Sequence, residues 1–100
     1  MDNEEVVPSY YKATPVFDHH TLPDKLRNSH TTKAGTWGVI RVLEGSVRYV
    51  IEDAQEAQIL TADRPGIVLP EQRHHVEPLG NMRMCVEFYD HPPSQKEQNP

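Results

Sequence analysis

Six histidines, spread through a chain of 100 residues, are the side chains most able to do chemistry here. Imidazole and carboxylate are the ligands a divalent first-row metal takes, with an open position if it is to react. The histidines do not all qualify by position. His19 and His20 are adjacent, and neighbours on an extended chain point to opposite sides, so the two cannot easily share one ion. They stand in D-H-H-T-L-P-D, a stretch rich in turn-forming residues, and read as solvated loop histidines. Alternation sets His74 on one face with Val76 and His75 on the other with Glu77. Cys85 is the single cysteine, which excludes an intramolecular disulfide. Nothing cationic beside it favours a thiolate, so it reads as packing. No motif supports a serine or cysteine triad.

Arg41 and Arg48 are the other candidates, and their placement depends on the strands that carry them. From Val39 the run V-I-R-V-L stops at Glu44-Gly45 and resumes as S-V-R-Y-V-I. Two β-branched runs split by two residues, one a glycine, predict a tight hairpin. In that register Val42 faces Val47, Arg41 faces Arg48 and Ile40 faces Tyr49. Ile40, Val42, Val47, Tyr49 and Ile51 then form one apolar face, while Val39, Arg41, Leu43 and Arg48 share the other. Two arginines directly opposite each other require carboxylates or an anion between them. Glu44 and Glu52 can supply the first; a bound anion is the second reading. Trp37, between Gly35 and Gly38, is either a core anchor or the wall of a pocket.

The remaining segments are short. Residues 1–12 are acidic and then tyrosine-bearing, and read as a flexible arm that docks late through Tyr10 or Tyr11. Residues 13–18 predict a strand, and Asp24, Lys25 and Leu26 a single helical turn. Further strands are expected at A-Q-I-L-T, at G-I-V-L-P and at M-R-M-C-V-E-F-Y-D. In the last of these Met84, Val86 and Phe88 share one face, and Cys85, Glu87 and Tyr89 the other. Residues 91–100 read as a disordered tail. No segment keeps a 3.6-residue apolar period, so about eight short strands between turns predict an all-β, single-domain antiparallel barrel or jelly roll over residues 13–90.

Composition narrows the function classes. A formal charge of −5 without a basic stripe argues against nucleic acid as partner. No apolar run approaches a membrane span, and no signal-peptide core follows Met1, which predicts a cytoplasmic protein with no membrane partner.

The order strand, L-E-G turn, strand, then Gly66-x-x-x-Pro70 with His74 shortly after, resembles the cupin superfamily of small metal-holding barrels. The likeness is closer to its TehB/YeaR-like branch. It is carried by His30, Lys33, Gly35-Thr36-Trp37-Gly38, Val42-Leu43, Gly45 and Tyr49, then by Pro70-Glu71, His74, Val76-Glu77 and Phe88-Tyr89. It spans roughly residues 10–90. The resemblance implies a metal site at His30 and His74 with Glu87 as a third ligand, zinc being the default ion. It also implies a small ligand, oxyanions among the candidates, and the Arg41/Arg48 pair and Trp37 read above are candidate contacts for it. Gly38 stands where cupins usually carry a glutamate, so the four-ligand set is not present in its usual form.

The expected function is therefore a small metal-binding cupin, tellurite-resistance- or stress-related. The alternatives are a metal-dependent dioxygenase or isomerase, and a noncatalytic homodimeric module using a sheet edge or an apolar Val39/Leu43 face. No glycine-rich nucleotide loop joins a strand to a helix, so methyl transfer is not expected from these residues.

Overall fold

The computed structural model describes residues 10–98. Its strands are β1 (Lys12–Ala13), β2 (Phe17–Asp18), β3 (Trp37–Glu44), β4 (Val47–Ile51), β5 (Glu56–Leu60), β6 (Gly66–Val68), β7 (His74–Pro78) and β8 (Arg83–Tyr89). Two short helices, α1 (Asp24–Arg27) and α2 (Gln95–Gln98), complete the order. The expected all-β antiparallel class is present, but as two sheets with no closed barrel. One sheet runs β1-β8-β3-β6, with β2 also paired to β8; the other runs β5-β4-β7.

The predicted hairpin does not form. β3 pairs with β8 on one side and β6 on the other. β4 pairs with β5 and β7 in the second sheet. Both edges of β3 are filled, so β4 has nowhere to add to it, and Gly45-Ser46 carries the chain from one sheet to the other. A register shift between Val42 and Glu44 bends β3 just before that crossing. The expected apolar face survives this change of partner, because Ile40, Val42, Val47, Tyr49 and Ile51 are all buried. They meet across the interior of a sandwich rather than side by side on one ribbon. Val39, placed by alternation on the opposite face, is also fully buried, so the Val39/Leu43 face is not an open apolar patch.

The segment 13–18 makes two separate pairings along β8. Pro15 has no N–H to give a ladder. Thr14 keeps the contact instead: its N–H donates to the Val86 carbonyl at 2.9 Å, and its Oγ1 accepts from the Val86 N–H at 3.0 Å. Residues 1–9 of the expected arm lie outside the described residues. At its end the Tyr10 ring meets the Tyr89 ring edge-on at 6.3 Å, and the Tyr11 N–H donates to the Phe88 carbonyl.

The stretch after His91, expected to be disordered, docks through α2. Ser94 and Glu97 form a reciprocal capping box, Ser94 Oγ accepting from the Glu97 N–H and Glu97 Oε1 from the Ser94 N–H. The guanidinium of Arg41 then donates to the carbonyls of Glu97 and Gln98 at the other end, where helix carbonyls lack partners.

Candidate functional site

One internal space draws its lining from strands of both sheets. It is a cavity of about 440 Å³ with apolar walls from Phe17, Leu26, Ile40, Val68, Val76, Met84, Val86 and Phe88. These positions alternate along β3, β7 and β8, which is why three strands deliver a continuous apolar lining. Helix α1 and the segment 30–36 also contribute to its lining. That segment is pinned, since Thr32 Oγ1 donates to the Thr36 carbonyl at 2.8 Å and the Glu71 N–H to the Thr32 carbonyl at 3.0 Å.

His30 and His74 both line this cavity. Their backbones exchange two hydrogen bonds of 3.0 Å, and their ring centroids are 4.1 Å apart. His74 is buried at 3% exposure, with the Tyr49 ring edge-on to it at 5.8 Å. Each ring places Nδ1 beside a carbonyl oxygen, His30 on Asn28 at 3.0 Å and His74 on Gln72 at 2.8 Å. A carbonyl only accepts, so Nδ1 carries the proton in both rings, and a neutral ring keeps Nε2 as an acceptor. Burial pushes the His74 pKa down, which favours the neutral form at pH 7.

The other expected site residues are elsewhere. Glu87 projects from the outer face of β8, away from Met84, Val86 and Phe88, and pairs with Arg41 at 3.0 Å. Alternation had separated these two faces correctly, but not which of them His74 would meet. Arg41 and Arg48 belong to different sheets and do not face each other; Arg41 stands opposite Cys85, and Arg48 opposite Glu77, with which it pairs at 3.0 Å. The expected anion site between them therefore has no geometry behind it. Trp37 is half-buried, stands opposite Tyr89, and is not among the residues lining the cavity. Cys85 is on the same outer face as Glu87, and burial raises its pKa, consistent with packing. His19 and His20 sit in a turn with their rings 3.9 Å apart, a bend that the extended-chain argument did not allow for.

Residues that sequence reasoning missed as site residues are Lys12, Lys25 and Lys33, which line the cavity with exposed side chains. They come from three separate segments, so no local pattern joins them.

On the outer face of the second sheet His75 bridges two carboxylates, Glu52 at 2.6 Å and Glu77 at 2.8 Å. Side-chain hydrogen bonds to Glu52 and then Glu77 raise the His75 pKa above 6.5, and the same bonds lower both glutamates below 4.5. The histidine thus contributes stability that is fully present below pH 6.5 and is lost as pH rises through its raised value. The glutamates contribute stability above pH 4.5 that is lost as pH falls through their lowered values. Thermal midpoints of the wild type and His75→Gln, measured from about pH 5 to 9, should converge as pH rises. A constant gap between the two curves would remove His75 from this role.

The fold and the cavity define a small two-sheet β domain built around an internal space. The sequence matches the TehB-like domain family over residues 12–86, and the chain belongs to that family. Proteins of two Haemophilus influenzae strains, each named as a probable S-adenosyl-L-methionine-dependent methyltransferase TehB, are 34% identical over 91 residues. That match covers 86% of this chain and 31% of theirs, so the chain spans about a third of the length of these relatives. The crystal structure of TehB from Haemophilus influenzae superposes with a TM-score of 0.71 at 30% identity, over 79% of this chain and 30% of that one. A protein from E. coli strain K12 shares the fold at a TM-score of 0.71 and 19% identity, over 86% of this chain and 95% of its own.

These findings overturn the metal-binding cupin. The relatives are named for S-adenosyl-L-methionine rather than for a metal, and among the described residues no group of three or more His, Cys, Asp or Glu could hold a metal ion. With Glu87 turned outward, the His30/His74 pair has, among the described residues, no carboxylate that completes a zinc or facial-triad set. The metal-dependent dioxygenase or isomerase rested on that same set. Among the described residues no helix is long and apolar enough to cross a membrane.

Proposed function

We propose that this chain is a small-molecule-binding domain of a TehB-type methyl-transfer system, whose cofactor is S-adenosyl-L-methionine rather than a divalent metal. The observation that carries the reading is the cavity, whose apolar walls hold a buried histidine, His74, in contact with the His30 ring. A space of this kind suits a compact ligand held mainly by apolar burial and oriented by few polar groups. The Nε2 atom of a neutral His74 would accept a hydrogen bond from a ligand hydroxyl or N–H.

The domain is assigned the acceptor compound or its product, not the methyl donor. Dinucleotide-type sites lie at the strand ends of open parallel sheets with helices on both faces. Here every pairing of the named strands is antiparallel, and both helices have only 4 residues. The test is an amide-resolved NMR titration with S-adenosyl-L-methionine and, separately, with 2-naphthol. The naphthol should shift the signals of Ile40, Val76 and Val86, and S-adenosyl-L-methionine should leave them in place. Shifts at those residues with S-adenosyl-L-methionine would assign the methyl donor to this domain; no shift with either compound would end the cavity reading.

A further inference from the structure

Resting on that cavity reading, we propose that the ligand is a small organic anion with an apolar body, its negative group at the cavity mouth. The observation is a charge segregation that the overall composition opposes. The chain has 15 acidic residues against 10 lysines and arginines, for a formal charge of −5. Among the described residues no aspartate or glutamate lines the cavity, while Lys12, Lys25 and Lys33 do. These lysines come from β1, from α1 and from the segment before β3, so the fold gathers them from three parts of the chain. Among the described residues none of the three forms an ion pair, although Arg41, Arg48, His75, Arg83 and His91, all outside the cavity, pair with glutamates.

Depth separates the two kinds of polar group. All three lysines are exposed, whereas His74 is buried among the apolar walls. A buried His74 whose pKa is pushed down is neutral and offers no charge to an anion. The negative group therefore belongs with the lysines, where it stays partly hydrated, and the apolar body occupies the interior. Placing a carboxylate inward would bury it without a cation, which costs far more than leaving it at the mouth. Three exposed lysines lining one cavity also raise the local anion concentration and the on-rate at low salt.

The probes are 2-naphthoate and its neutral isostere 2-naphthamide, titrated by NMR against the full chain in low-salt buffer. Naphthoate should bind at least about tenfold tighter, the order of a single well-placed charge interaction. The triple variant K12Q/K25Q/K33Q, altered only at exposed side chains, should bring the two affinities together. High salt should do the same to the wild type. Equal affinities in the wild type would overturn the anion preference and leave the cavity reading intact. An unchanged preference in the triple variant, or naphthoate shifts lying away from the cavity residues, would also overturn it. Failure of both probes to bind would remove the proposal together with the cavity reading.

Discussion

Gly45→Ala is expected to destabilise the fold by about 3 kcal/mol or more, close to the upper range for a single substitution. Gly45 carries the chain between the two sheets at φ +72°, a conformation that costs a non-glycine residue about 1–2 kcal/mol. A Cβ there would also lie 2.3 Å from the Asn81 carbonyl oxygen and 3.1 Å from Met82 Cα. Both are backbone atoms, so no side chain can swing aside to relieve the overlap. Gly80→Ala is the matched control, with φ +77° and nothing within 4 Å of the added carbon. It should lose only the conformational part. Urea unfolding of the two variants would separate the contributions, and equal losses would mean that the crossing is not packed against 81–82 as described.

Tyr49→Ala is expected to cost about 3–5 kcal/mol, the range for removing a large buried aromatic ring. Tyr49 is fully buried in β4, yet its hydroxyl donates to the Ile67 carbonyl of β6 at 2.9 Å. It therefore ties the second sheet to the first. Burial drives its pKa upward, so the hydroxyl stays protonated and able to donate. Tyr49→Phe keeps the ring and should cost only about 1 kcal/mol, the net worth of one hydrogen bond. Because the ring meets His74 edge-on, the alanine variant should also move the His74 ring signals in an NMR spectrum, and the phenylalanine variant should not. Equal losses in the two variants would place the contribution in the hydroxyl rather than in packing.

Together the two positions explain how the domain keeps an internal space open. The crossing at Gly45 separates β3 from β4, and Tyr49 sets how closely the separated sheets approach. The ring sits beside Gly66, where a Cβ would come within 2.6 Å of Leu60 and 3.1 Å of Tyr49. This region is filled, and the open volume is lined instead by His74, α1 and the segment 30–36 among others.

Much of the layer arrangement is written in local sequence. Alternation along 39–51 identifies Ile40, Val42, Val47, Tyr49 and Ile51 as inward-facing, and alternation along 83–89 separates Met84 and Val86 from Glu87. Strand existence, the turn at 79–81 and the single turn of α1 follow from residue type in the same way. The capping box at Ser94 and Glu97 was equally local, though the polar composition around it pointed to disorder.

Strand partners were decided only by the tertiary structure. A two-residue link with a glycine suits a hairpin and a crossing between sheets alike, and a period of two reports the face of a side chain without reporting its neighbour. The outcome depended on β8, which occupies an edge of β3 from a distant part of the chain and took Arg41 and Glu87 out of the expected site. The cavity is likewise a product of convergence. His30 and His74 are recognisable one at a time, but their ring contact, and the gathering of Lys12, Lys25 and Lys33 around one cavity, exist only once distant segments have packed. The physical reason is that local sequence sets which way a residue faces, whereas charge and shape at a site depend on which surfaces the folded chain brings opposite one another.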